Sequence, residues 1–83
     1  MLDGTYRQKL FVEESEQYMR MNLKEARHKA GLTQKEVAEY LEISENAYQN
    51  IEYGKRIGKI ENWDKLEDLF RIHQRTLRMN FLD

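Results

Sequence analysis

The sequence predicts an all-α bundle of about five helices with an extra helix at its N-terminus, and three observations lead there. Two helix-start signals stand eleven residues apart: Thr33 with Glu36, which forms a capping box, and Ser44 ahead of a second run. Gly54 supplies a stop. Between these marks the apolar residues recur at helical spacing, with Val37, Ala38 and Leu41 on one segment and Ala47, Tyr48 and Ile51 on the next. Gly31 to Lys55 therefore reads as two short helices joined by a tight turn, with Ile43 facing inward from the turn. Helices of about 8 to 10 residues do not stand alone in water, so the pair must pack against the flanking chain.

In chain order, residues 1–21 form an N-terminal extension. Thr5 is a candidate cap, Tyr6, Leu10, Gln17 and Met21 recur near helical spacing, and Val12, Tyr18 and Met19 add apolar surface. The run Glu13, Glu14, Glu16 reads as a solvated face, the other reading being one that repels phosphate or meets a basic partner. Such a helix either extends the core or exchanges with a second copy. Residues 22–83 form the main domain. Asn22-Leu23-Lys24-Glu25 has a capping-box pattern, so a helix is expected to run to Ala30 and stop at Gly31, with Leu23, Ala26 and Ala30 inward. After Gly54 comes a basic loop, Lys55-Arg56-Ile57-Gly58-Lys59. The next helix is expected near Ile60, because Ile60, Trp63, Leu66, Leu69 and Phe70 follow at helical steps; Trp63 is assigned to core or dimer surface. A last helix is expected over Ile72–Leu82, with Leu77 and Phe81 inward. Arg71, Arg75 and Arg78 would share its other face, either solvated or paired with the acidic N-terminal helix or a partner.

Gly31-Leu32-Thr33-Gln34, Ala38 and Ile51-Glu52-Tyr53-Gly54-Lys55 together resemble the lambda-repressor-like (Xre) family of helix-turn-helix proteins, over roughly Asn22 to Leu77. The resemblance implies that Arg27 of the first helix pairs with Glu52 as a structural ion pair. It also implies that the second helix of the motif enters the DNA major groove, with residues near its N-terminus at base edges. Those residues are Ser44, Glu45, Asn46, Ala47 and Gln49. Asn46 and Gln49 can each bond adenine bidentately, Glu45 can accept from cytosine, and Ala47 can touch a thymine methyl. Phosphate contacts are expected from Gln34, Lys35, Asn50, Lys55, Arg56 and Lys59. Three positions depart from the family's habit: Glu45 where a basic or amide residue is common, Glu42 where many relatives carry glycine, and Gly58 near a common proline. If the turn requires a positive φ, Glu42 is strained there.

Composition narrows the function classes. Eighty-three residues make one domain, and the absence of cysteine excludes disulfides and cysteine-rich zinc sites. The longest apolar runs are far too short for a membrane helix, and the opening residues lack a signal peptide's apolar stretch, so a cytoplasmic location is expected. No nucleophile–base pair, metal cluster or phosphate-cradling loop occurs, and the chain is expected to be too small to enclose a substrate pocket. His28 and His73 lack metal-ligand spacing. Neither catalysis, metal nor cofactor is therefore expected.

The net charge of −1 means that any DNA contact must use a local basic patch. Two functions follow from these features and the resemblance. One is a sequence-specific transcriptional regulator binding double-stranded DNA as a homodimer, of phage or mobile-element repressor type. The other is the same scaffold used as a protein-interaction module, antitoxin-like or inhibitory, with Glu42 and Glu45 facing a protein partner.

Overall fold

The computed structural model describes residues 19–79, and among these it is entirely helical. Five helices follow in order: α1 Met21–Lys29, α2 Gln34–Leu41, α3 Glu45–Glu52, α4 Ile60–Phe70 and α5 Gln74–Arg78. The helix expected over the N-terminal extension lies outside the described residues except at its last three positions. Of those, Arg20 is buried and Met21 opens α1, so both are part of the bundle.

The pair α2–α3 forms as the caps require. Thr33 Oγ1 accepts from Glu36 N–H at 3.0 Å and Glu36 Oε1 accepts from Thr33 N–H at 2.8 Å, which closes the capping box. Ser44 Oγ accepts from Ala47 N–H at 3.0 Å and starts α3. Between the two helices Glu42 adopts φ 62° and ψ 42°, a left-handed conformation that turns the chain sharply without a glycine. α3 ends at Glu52, and Gly54 follows with φ 80°.

Both apolar stripes meet in one core. Val37, Ala38 and Leu41 from α2, Tyr48 and Ile51 from α3, Leu23 and Ala26 from α1, Trp63 and Leu66 from α4, and Leu77 from α5 are buried together. Leu32, Ile43, Leu69, Phe70 and Ile72 pack against that cluster. Each large apolar side chain removed from water contributes about 1.5 to 3 kcal/mol, which gives these short helices a stability they lack alone. Trp63 belongs to this core, with 1% of its surface exposed.

Four expectations about the flanking helices are corrected. Asn22 is not a cap: α1 begins one residue earlier, Arg20 C=O accepts from Lys24 N–H, and Asn22 Nδ2 instead donates to Thr76 C=O at 3.0 Å. Ala30 follows the last helical residue and is exposed rather than inward. α4 does start at Ile60 as expected, although Ile60 itself is 74% exposed because the stripe reaches the core only from Trp63, nearly one turn later. The expected Ile72–Leu82 helix is the shorter α5, and Arg71, in a left-handed conformation at φ 59°, caps α4. That reversal separates Arg71 from Arg75 and Arg78, so the three do not share one helical face. Phe81 lies outside the described residues.

Candidate nucleic-acid interface

α3 presents its N-terminal half outward. Ser44, Glu45 and Asn46 are exposed, while Ala47 and Gln49 are half-buried. Asn46 and Gln49 stand three residues apart on one side of the helix, so their amides can address neighbouring positions on a ligand. Ser44 Oγ is used as the cap acceptor, which leaves its hydroxyl hydrogen available to donate.

Gln49 does not stand alone. Its Nε2 donates to Gln34 Oε1 at 3.1 Å, and Gln34 Nε2 donates to Tyr53 Oη at 3.4 Å. This amide–amide–phenol chain ties the first residue of α2 to α3 and to the residue that follows α3, and restricts the Gln49 side chain before any ligand arrives. Tyr53 was not singled out as a site residue in the sequence, where it stood only as part of the Ile51–Lys55 motif. Its position one turn beyond Gln49 was the available signal.

Basic residues flank α3 at both ends. Lys35 is exposed in the first turn of α2, where backbone N–H groups lack intrahelical acceptors. Lys55, Arg56 and Lys59 are exposed on the loop beyond the other end. Asn50 holds that loop, because its carbonyl accepts from Lys55 N–H at 2.9 Å and from Arg56 N–H at 3.2 Å. Asn46, Asn50, Arg56, Lys59 and Lys65 line one open groove of about 780 Å³ between α3, the loop and the start of α4. Glu42 and Glu61 line it too, so its charge is mixed.

Beneath the interface, Arg27 and Glu52 meet in a buried bidentate pair. Arg27 Nε donates to Oε1 and Nη2 to Oε2, each at 2.9 Å, with Glu52 fully buried. Arg27 Nη1 also donates to Leu32 C=O at 2.9 Å. The pair therefore locks α1 and the α1–α2 turn to the last residue of α3. The hydrogen bonds that Arg27 donates to Glu52, joined by the carboxylate's charge, push the Arg27 pKa above its ordinary value, against the opposing effect of burial. Tyr48 is buried nearby, and its hydroxyl has no hydrogen-bond partner among the described residues. Burial first, and the Glu52 carboxylate second, raise the Tyr48 pKa far above the ordinary phenol value.

A second buried guanidinium went unread in the sequence. Arg20, 5% exposed, donates from Nη1 to Ile51 C=O at 2.6 Å and Arg56 C=O at 2.9 Å, and from Nε to Arg78 C=O at 3.0 Å. Its guanidinium lies 5.4 Å from the centroid of the Trp63 ring. A lone arginine at the start of a helix looks like surface charge, and nothing in its spacing marks it otherwise.

Two capped helices joined by a tight turn, with the second exposing amides between basic flanks, define the DNA-binding helix-turn-helix class. A helix-turn-helix family model matches residues 23–73, more than half of the chain, and the protein belongs to the lambda-repressor-like (Xre) family. No curated protein and no solved structure matched the chain. Among the described residues no helix is long and apolar enough to cross a membrane.

Proposed function

We propose that the protein is a sequence-specific transcriptional regulator that binds double-stranded DNA as a homodimer, with α3 in the major groove. The observation that carries this reading is the Gln49 amide, tethered to Gln34 beside the exposed amide of Asn46. Asn46 is exposed, and Gln49 is held at 3.1 Å by Gln34 at the head of α2, as a side chain that discriminates bases must be held. Each well-made amide–adenine pair contributes about 1 to 3 kcal/mol of discrimination. Ser44, Glu45 and Ala47 complete the base-facing set. Gln34, Lys35, Asn50, Lys55, Arg56 and Lys59 supply phosphate contacts that set register. Dimer symmetry matches a two-fold operator with half-sites about one helical turn apart, roughly 34 Å. Regulation is by occlusion of a promoter, in the manner of a phage or mobile-element repressor, from a cytoplasmic location.

A second reading, a protein-interaction module, is favoured by one observation: Glu42 and Glu45 are both exposed at the turn and the start of α3. Carboxylates there oppose phosphate and suit a basic protein surface.

Fluorescence anisotropy with random-sequence duplex, from roughly 50 to 200 mM salt, separates the two. The DNA reading expects binding that weakens steeply with salt. It also expects an operator selected from the pool to be lost by Asn46→Ala/Gln49→Ala, which keeps the non-specific salt-dependent binding. Absence of binding at the lowest salt overturns the DNA reading and turns the search to a partner for Glu42 and Glu45.

A further inference from the structure

The residues that hold the basic loop lie partly outside the family domain. Arg20 precedes the matched segment 23–73 and Arg78 follows it, yet the two meet through Arg20 Nε and Arg78 C=O. Beside them Asn22 Nδ2 donates to Thr76 C=O, so the chain on both sides of the family core closes into one clasp.

What the clasp grips are carbonyls. Ile51 C=O and Glu52 C=O belong to the last turn of α3, where carbonyls have no intrahelical donor, and Arg78 is the last residue of α5. Arg20 serves all three sites, through its guanidinium at Ile51 and Arg78 and through its backbone N–H at Glu52 C=O, 2.9 Å away. A cation at the negative ends of two helices is favourable, and only guanidinium offers the flat fork of donors that reaches several acceptors at once. The fourth acceptor is Arg56 C=O, in the middle of the loop. The next carbonyl, Ile57 C=O, accepts from Trp63 Nε1 at 2.6 Å. Two stacked side chains, Arg20 and Trp63, thus hold consecutive carbonyls of the loop from the core side. Asn50 C=O holds the N–H groups of Lys55 and Arg56.

We infer that Arg20 is a positioning residue for DNA binding: it fixes the Lys55–Lys59 loop against the end of α3, so that Lys55, Arg56 and Lys59 meet phosphate as a preformed set. This rests on the DNA reading above, because the loop's ligand is the DNA backbone. Loosening the loop would cost affinity without altering base preference, and the loss would fall on the electrostatic part of binding.

The test uses the full chain with Arg20→Lys, which keeps charge without the fork, and Arg20→Met. Two readouts are taken below the melting temperature of every variant. The first needs no DNA: amide hydrogen exchange at Lys55 and Arg56, expected to quicken at least tenfold in Arg20→Lys while Val37 and Ala38 keep their protection. Unchanged exchange at the loop overturns the clasp, whatever the protein binds. The second is affinity for duplex DNA against salt. Arg20→Lys is expected to bind roughly tenfold more weakly, with the salt slope smaller by about one to two phosphate contacts. Lys55→Ala should then cost little in the Arg20→Lys background and Lys35→Ala its full amount, since only the former acts through the loop. Additive losses for Lys55→Ala and Arg20→Lys overturn the positioning role. Wild-type protein that binds no duplex overturns the DNA reading and the positioning role with it, leaving the exchange result to judge the clasp alone. If Arg20→Met fails to fold, Arg20→Lys carries both readouts.

Discussion

Removing the Arg27 guanidinium tests how the domain holds α1 against α3. Arg27→Met keeps most of the side chain's apolar stem but leaves Glu52, fully buried, without the two donors at 2.9 Å that now satisfy its oxygens. Breaking a buried pair from one side costs about 3 to 5 kcal/mol, because the orphaned carboxylate keeps its desolvation penalty. Against a total of about 5 to 15 kcal/mol, with a small domain near the low end, that is most of the stability. The melting temperature should fall by roughly 12 to 40 °C, taking about 4 to 8 °C per kcal/mol for a domain of this size. Urea melts followed by circular dichroism give the quantity directly.

The double variant Arg27→Met/Glu52→Leu makes the prediction specific. With both charges gone, the penalty for burying either disappears, and apolar contact between α1 and α3 replaces it. The double variant is expected within about 1.5 kcal/mol of wild type and far above either single variant, so the two losses are strongly non-additive. If Arg27→Met alone costs less than about 1 kcal/mol, Glu52 is hydrated in solution and the argument from burial fails. Additive losses in the double variant would equally refute it.

Three other substitutions address the backbone and the core. Glu42→Gly should stabilise the domain: left-handed φ costs a side-chain-bearing residue about 1 to 2 kcal/mol, and glycine's extra unfolded-state freedom returns about 0.5 to 1, for a net gain near 0.5 to 1 in a urea melt. Gly58→Ala should destabilise by about 1 to 3 kcal/mol, since φ is 76° and the added Cβ would sit 2.8 Å from Ile51 Cδ1. Tyr48→Phe should be neutral or stabilising by about 1 kcal/mol at neutral pH, as it deletes a buried hydroxyl that lacks a partner. Tyr48 also sets an alkaline limit. Its folded pKa is raised, so its contribution is complete below the unfolded value near pH 10 and is lost above it, at up to about 1.4 kcal/mol per pH unit. Stability profiles from pH 8 to 11.5 should be shallower at the alkaline end for Tyr48→Phe.

The parts of the fold that the sequence announced are those with local chemistry. Thr33, Glu36 and Ser44 cap their own helices, and the apolar spacing of α2 and α3 needs no distant residue to be read. The errors arose where a remote contact or an unmarked turn decided the outcome. Asn22 had a cap's sequence, but the carbonyl of Arg20, itself anchored on α3, began the helix first. Glu42 and Arg71 both adopt left-handed conformations that glycine usually signals, and at Arg71 the missing signal put that residue on the face of the last helix instead of at the end of α4. In the candidate site, exposure of the α3 amides follows from helical periodicity. The link between Gln34 and Gln49 spans fifteen positions, and Arg20 reaches carbonyls 31, 36 and 58 residues away, so no pattern along the chain could reveal either.

Charge explains why such positioning would matter to this chain more than to a basic one. Net charge is −1, and Glu42 and Glu45 lie beside the face that would approach DNA. Long-range attraction, which lets a strongly basic domain tolerate imprecise contacts, is therefore weak. On the DNA reading, affinity must come from a few phosphate contacts made well, and each flexible lysine or arginine loses side-chain entropy on being fixed. A loop already held from beneath by Arg20, Trp63 and Asn50 removes the backbone share of that cost before binding. On the same reading the acidic residues would act as a filter: they would penalise every loose encounter with phosphate equally, while only a correctly seated α3 would recover the loss through Asn46 and Gln49. Glu45→Gln should thus tighten binding to random duplex more than to the selected operator, narrowing the ratio between them; an equal gain on both would remove the filter from the account.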